Sequence, residues 1–397
     1  MSTLNNILNP TMSRRGVIAG LAGTAAAAAL AGCSSESGSS DSGSSSDSGA
    51  SFKIGAIGPL TGSVAAYGLP AIQGAKLAAK DFSTDEWPLE VKSEDDQADS
   101  EKSINAFNTL CDWGMQALMG PVTTGAAVAV SSECNNDPKV FMLTPSASSP
   151  DVTDGKDCVF QVCFNDPTLG SSAATYLSEN YADEPIAVFW NSGDTYSSGV
   201  KDAFSSKAKE LGLNIVDEES FKDDSSTSFT NQLTSAQSAG ATMIFAPIYY
   251  TPASTMLTNA HDMGYDVTFM ACEGVDGLLD VEGFDTSLAE GVLLITPFSA
   301  DEDKNADFVS AYQDEYGELP NQFAADGYDA VHAIAEALKK TDLSLDADSA
   351  EVAEKLSAAM LEIEVEGLTG TLKWNDDGSV DKDTPVYVIK DGKYVAA

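Results

Sequence analysis

"KIGAIGPLTGSVAAYGLPAIQGAKLAAKD", residues 53–81, joins a short apolar run, a turn of Gly, Pro, Thr and Ser, and apolar residues at helical spacing. The run "FKIGAIGPL" reads as a buried strand, and "LPAIQGAKLAAKDF" as an amphipathic helix packed on it. Glycines between them let backbone groups approach closely. A strand, a glycine-rich turn and a helix make half of a parallel crossover unit, so the fold depends on how often this pattern recurs.

It recurs along most of the chain. Further strand candidates are "LEVKSEDD", "QALMGP", "KVFMLTPS", "PIAVFWNSG", "LNIVDEESF", "TMIFAPIYY", "DVTFMACEG" and "EGVLLITPF", with helical patterns such as "VKDAFSSKAKELG" between most of them. Near-continuous apolar strands argue for parallel sheets covered on both faces. Right-handed crossovers then give a doubly wound α/β architecture. Nine strands are many for one such sheet, which predicts two lobes. The polar, proline-containing breaks "FNDPTLG" (164–170) and "TPFSADED" (296–303) mark where the chain passes between them. The tail "GTLKWNDDGSVDKDTPVYVIKDGKYV" reads as antiparallel strands joined by Asp-Gly turns. Its "NDDGSVDKD" lacks calcium-loop spacing and reads as a solvated turn.

The first 33 residues contain no acidic residue, and Arg14 and Arg15 precede a run of small and apolar residues from Gly16 to Gly32. This is signal-peptide patterning, too short and too weakly hydrophobic for a comfortable membrane span. "SRRGV" partly matches the twin-arginine export pattern, leaving folded and unfolded export both open. "LAGC" (30–33) resembles a bacterial lipobox, which implies that Cys33 accepts lipid and becomes the new N-terminus. Residues 34–51, dominated by Ser, Gly and Asp, have too little apolar surface to offset ordering entropy and read as a flexible tether.

Beyond Cys33 the chain has 19 lysines, no arginine and 61 acidic residues. Such a surface repels nucleic acid and anionic lipid heads, so attachment to a membrane would rest on acyl chains rather than charge. Five cysteines remain. Cys158 and Cys163 alternate across a strand-like run and should not pair. Cys111 and Cys134 fall in successive helical patterns, and whether they bridge stays open. Buried thiols are the expectation for most of the five.

Ligands of open parallel sheets bind beyond the carboxyl ends of the strands. Those ends here read "GPLTGSVAAYG", "GPVTTGAA", "TPSASSP", "NSGDTYSSG", "IYYTP" and "CEGVDG". Helices starting at such turns favour an anion. With no arginine to clamp a ligand carboxylate, hydroxyl and N–H groups of Thr123, Thr124 and Ser148 are the candidates for holding it, and Glu273 for pairing an ammonium. Tyr67, Tyr196, Tyr249 and Tyr250 offer amphipathic walls. The combination suits a zwitterion. His261 and His332 are the only histidines, each within a helical pattern. No serine elbow, zinc spacing or phosphate loop appears, so neither an enzyme nor a cofactor or metal site is expected.

Taken in order, these motifs resemble the branched-chain amino-acid type of periplasmic-binding-protein fold over about residues 52–397. The resemblance implies lobe 1 at about 52–165 and 299–375, and lobe 2 at about 166–298 and 376–397. It implies a cleft that closes over a free amino acid, and a monomer that hands its ligand to an ABC permease. The carry-over puts the ligand carboxylate near Thr124 and Ser148, and its amine near the Ser146 carbonyl, Ser148 and Glu273. Tyr196 and Tyr250 fall on the second-lobe side, and Tyr67, Thr123 and Ala147 complete the expected ligand-binding set. Three departures bear on specificity. "SAS" (146–148) replaces the family's usual glycine–alanine–threonine. "DTYSSG" stands where Tyr-Gly-x-Gly is frequent. "FAADGYDA" places small and acidic residues, including Asp326, where some relatives have an aromatic wall. Asp326 and Asp194 are rival anions, but neither matches an amine-binding position. The expectation is an exported lipoprotein on the outer face of the cytoplasmic membrane, capturing an aliphatic amino acid for an ABC importer. The alternatives are a sensing lipoprotein for a membrane receptor, or a binder of small amides or short peptides.

Overall fold

The computed structural model describes residues 50–397, so the leader, Cys33 and most of the tether lie outside the described residues. The first half alternates strand and helix: β1 (Phe52–Gly58), α1 (Ala65–Phe82), β2 (Leu89–Asp95), α2 (Ser100–Trp113), β3 (Ala117–Met119), α3 (Thr124–Cys134), β4 (Phe141–Thr144) and β5 (Val159–Gln161). These strands form one parallel sheet in the order β2-β1-β3-β4-β5. The alternation then resumes with α4 (Asp166–Asn180), β6 (Ile186–Asn191), α5 (Thr195–Leu211), β7 (Ile215–Phe221), α6 (Thr230–Ala239), β8 (Met243–Phe245), α7 (Tyr250–Asp262), β9 (Thr268–Ala271) and β10 (Leu293–Ile295). Three helices follow, α8 (Ala306–Tyr316), α9 (Gln322–Leu338) and α10 (Ser349–Met360), and they return to the first sheet. A hairpin of β11 (Glu364–Gly367) and β12 (Gly370–Lys373) precedes the last pair, β13 (Val386–Lys390) and β14 (Lys393–Ala396). The second sheet runs β14-β13-β10-β9-β8-β6-β7 and is parallel except where β13 and β14 join.

All nine strands expected from the apolar runs form, and "CVFQVCF" supplies β5. The cause is visible in burial. Phe141, Met142 and Leu143 are successive residues of β4 and all fully buried, so both faces of the sheet are covered. Each large apolar side chain removed from water contributes roughly 1.5–3 kcal/mol. The second sheet likewise carries one apolar cluster around Phe189, Ile244 and Leu294 and another around Val188, Phe245 and Ile295, the alternate residues of the same strands.

The tail forms its expected antiparallel pairs, with Asp-Gly turns at 377–378 and 391–392. The β11–β12 turn uses Leu368–Thr369 instead. Its cause is tertiary: the buried Asp329 carboxylate on α9 accepts from both turn N–H groups and from the Thr369 hydroxyl. The five cysteines among the described residues are free thiols, with Cys111 exposed and the others buried. His332 stacks on Phe82 at 4.0 Å. Among the described residues no helix is long and apolar enough to cross a membrane.

One packing detail positions the cleft. The helices α1 and α9 meet backbone to backbone, because a Cβ at Gly74 would overlap the Ala324 carbonyl and one at Gly327 would overlap that of Ala71. That contact fixes the N-terminal ends of both helices, which carry Tyr67 and Phe323.

Candidate ligand-binding cleft

The chain passes between the sheets three times: between β5 and α4, between β10 and α8, and between β12 and β13. The carboxyl ends of β1, β3 and β4 on one side therefore face those of β6, β8 and β9 on the other. Of the nine residues expected at the ligand, Tyr67, Thr123, Thr124, Ser146, Tyr196 and Glu273 line a single cavity of about 20 Å³, completed by Val122, Tyr249, Gly274 and Phe323. Ala147, Ser148 and Tyr250 stand just outside its lining. The volume matches one or two waters, so an amino acid fits only if the walls move apart.

On the first-sheet wall, Thr123 is the N-cap of α3, and its side chain does not cap the first-turn N–H groups. The Thr123 and Ser148 hydroxyl oxygens are buried without partners. Thr124 Oγ1 accepts from the Ser148 N–H at 3.2 Å, and Ser146 donates to the Val122 carbonyl at 2.7 Å. Gln161 fixes the same loop by donating to the carbonyls of Ala147 and Ser149 at 2.7 and 3.1 Å. Free N–H groups at a helix N-terminus and free hydroxyls together suit a carboxylate.

On the opposite wall, Glu273 opens a short 3₁₀ turn just past β9. It is 3% exposed, and its Oε2 has no partner. Burial, then the nearby Asp326, pushes its carboxyl well above the usual range, while Lys382 acts against the rise. Cys272, its neighbour, is buried in the core around Val188 and Phe245 rather than beside the carboxylate's cavity. An ammonium placed at Glu273 would relieve the burial penalty directly.

Aromatic rings close the remaining sides. Tyr67 packs at 4.4 Å from Phe323, and Tyr196 stacks on Tyr249 at 5.5 Å. The Tyr67 hydroxyl donates to the Gly274 carbonyl and accepts from the Tyr250 N–H at 3.2 Å, while the Gly274 N–H donates to the Tyr196 hydroxyl at 3.3 Å. Burial raises the Tyr67, Tyr196 and Tyr249 phenols well above their ordinary value, so all three stay neutral donors.

Two features escape a reading of the sequence. "FAADGYDA" was expected to lack an aromatic wall, yet Phe323, its first residue, supplies one; Asp326 lies a turn further along α9, fully buried. Of the adjacent tyrosines, Tyr249 faces the cavity and Tyr250 reaches the Ser63 carbonyl. Beside this cavity a larger, more open one of about 810 Å³ runs between Ser149–Asp151 and the starts of α4 and α5, with Asp166 and Asp194 in its lining.

The profile of the periplasmic binding protein family spans residues 51–393. Leu/Ile/Val-binding protein homolog 3 of Brucella melitensis is 29% identical over 350 residues, covering 86% of this chain and 92% of that protein. The leucine-, isoleucine-, valine-, threonine- and alanine-binding protein of Pseudomonas aeruginosa is 27% identical, covering 83% and 87%. The branched-chain amino acid transporter substrate-binding protein LivJ of Streptococcus pneumoniae, solved with isoleucine, matches with a TM-score of 0.78 and 27% identity over 87% of this chain and 98% of that one. Two mostly parallel sheets, three crossings and a cleft at the strand ends agree with that match, and the chain belongs to the periplasmic binding protein family.

Proposed function

We propose that this protein is the extracytoplasmic substrate-binding lipoprotein of an ABC importer, closing its cleft over a free aliphatic amino acid. The observation that carries the reading is the placement of unsatisfied groups on opposite walls of one cavity: Thr123 Oγ1 at the start of α3, with Ser148 Oγ in the loop after β4 just outside the lining, and Glu273 Oε2 opposite. The first set complements a carboxylate and the second an ammonium. Tyr67, Tyr196, Tyr249 and Phe323 line the same cavity and offer ring surface to an aliphatic side chain once the walls part. Relatives named for binding leucine, isoleucine and valine support the same ligand class. The moving bodies are the lobes at about 52–165 with 299–375, and about 166–298 with 376–397. Cys33 would tether them to the membrane within reach of the permease.

A thermal-shift screen of the amino acids tests the ligand class, since a ligand bound only by the folded state raises Tm by mass action. Glu273→Gln then tests the site. It keeps the shape, removes the charge and should weaken the best amino acid at least about tenfold, about 1.4 kcal/mol, while binding of the deaminated analogue stays unchanged. Equal amino-acid affinity for parent and variant in calorimetry would remove Glu273 from the site.

A further inference from the structure

Outside the lining of the cavity the structure buries a second carboxylate and a lysine. Asp326, on the second turn of α9, is 0% exposed, and neither of its oxygens has a hydrogen-bond partner. Lys382 belongs to the third crossing, and its side chain is 1% exposed. Its Nζ lies 3.9 Å from Asp326 Oδ1, donates to Thr369 Oγ1 at 2.9 Å and sits 5.1 Å from the Phe164 ring centre. Asp326 and Lys382 are the two charged groups that act most strongly on Glu273. Three elements from different parts of the chain thus put Asp326, with neither oxygen partnered, beside one buried ammonium, and Glu273, with Oε2 unpartnered, within the field of both.

The other groups facing this cluster do not supply the missing positive charge. Asp166 faces Glu273, but its carboxylate, also without a partner, lines the open cavity at the starts of α4 and α5 rather than pairing with Lys382; Asp329 and Asp276 face Asp326, and Cys163, Cys272 and Tyr196 lie alongside. Asp329 is held by its three donors at the β11–β12 turn. Asp276 accepts from the Gln322 and Gly277 N–H groups and the Tyr394 hydroxyl. Each can therefore carry its own charge, whereas Glu273 and Asp326 cannot both do so on one lysine. In a buried region an uncompensated carboxylate takes up a proton or waits for a cation.

We propose that Asp326 and Lys382 are positioning residues for the amine end of the ligand, and that ligand binding here is an exchange of a proton for an ammonium. Without ligand, Glu273 and Asp326 hold one proton between them. When the ligand's ammonium arrives beside Glu273, that proton leaves to solvent, Glu273 pairs with the ammonium and Asp326 with Lys382. The charge of the cluster is the same before and after. The scheme rests on the amino-acid reading of the cleft, and it goes further by naming the residues that make Glu273 wait protonated.

Infrared spectroscopy of the full chain at pH 7 tests it, on the parent, Asp326→Asn, Glu273→Gln and Lys382→Met. The ligand-free parent should show a carboxylic-acid carbonyl band that loses about one carboxyl's intensity in Asp326→Asn and in Glu273→Gln, because either change leaves one acid for one lysine. Lys382→Met should gain intensity. A parent band that neither substitution reduces overturns the proposal, provided circular dichroism shows both variants folded; the near-isosteric amides are chosen so that they fold. L-leucine is the probe for the exchange. Calorimetry in phosphate and in Tris should show release of close to one proton per leucine bound by the parent and close to none by Asp326→Asn. Leucine that raises Tm without releasing a proton also overturns the exchange. Leucine that leaves Tm unchanged counts against the amino-acid reading instead, and the ligand-free spectra still decide the shared proton.

Discussion

The Tyr250 hydroxyl donates to the Ser63 carbonyl oxygen at 2.6 Å, so the first residue of α7 is fastened to the turn that opens α1. Tyr250 and the helix that Ser63 leads into are packed on different sheets, and the bond lies at the rim of the cleft. Parting of the rims would break it. Tyr250→Phe should therefore bias the protein toward an open cleft. One partly exposed hydrogen bond is worth about 0.5–1.5 kcal/mol, so amino-acid affinity should fall roughly two- to tenfold. Solution scattering should show the variant less compact than the parent at equal subsaturating ligand. Unchanged affinity and unchanged compaction would show that the bond does not help hold the cleft shut.

The buried acids make stability depend on pH in a definite direction. Burial pushes Asp326 up to about 8 and Asp166 up to about 7. An acid whose folded pKa lies above its unfolded one favours the fold while protonated. That contribution is complete below about pH 4, the unfolded value, and is lost as pH rises through the folded one. The Tm of the ligand-free protein should thus fall as pH is raised from 5 to 8.5. Asp326→Asn, which cannot ionise, should flatten the fall between 6 and 8. Parallel Tm–pH curves for the two proteins would count against a protonated Asp326.

Gly74 sits where α1 and α9 touch through their backbones. A methyl there cannot be relieved by a side-chain rotation, since it meets the Ala324 carbonyl. Gly74→Ala should cost about 1–3 kcal/mol in urea unfolding, the usual range for overpacking. Because Tyr67 and Phe323 ride on the separated ends, ligand affinity measured by calorimetry should also drop. Parental stability would show that the helices can part freely.

Membrane attachment is predicted to depend on one thiol. Cys33→Ala should release the protein into the soluble fraction or leave the leader unprocessed, as read by fractionation and intact mass. A variant that remains processed and still needs detergent for extraction would show a different anchor.

Much of this could be read in advance, for physical reasons. Strands covered on both faces must be apolar almost throughout, and such runs are visible without knowing what they pack on. Thr123, Thr124 and Ser146 could be found because turns after parallel strands carry small and hydroxylated residues. Tyr249 and Tyr250 could not be separated, because the choice depends on where α7 starts: Tyr249 is its extended N-cap and Tyr250 its first helical residue. Phe323 was hidden beside small and acidic neighbours whose burial depends on the α1–α9 contact. Lys382 was the least visible. A lysine in "NDDGSVDKD" looks solvated, and only the return of the third crossing toward α9 buries it.

The antiparallel placement of β13 bears on how the molecule is made. It covers the edge of β10, and its Tyr387 and Ile389 are buried in the second core. During synthesis the ribosome delivers β6 through β10 well before β13, so a nascent chain carries an open sheet edge, a ready site for mispairing. Lys382 travels with the same late segment. Arrest or proteolysis before residue 382 would leave Asp326 without its lysine and β10 without its cover at once. Docking of this one late segment thus completes both the sheet and the charge balance.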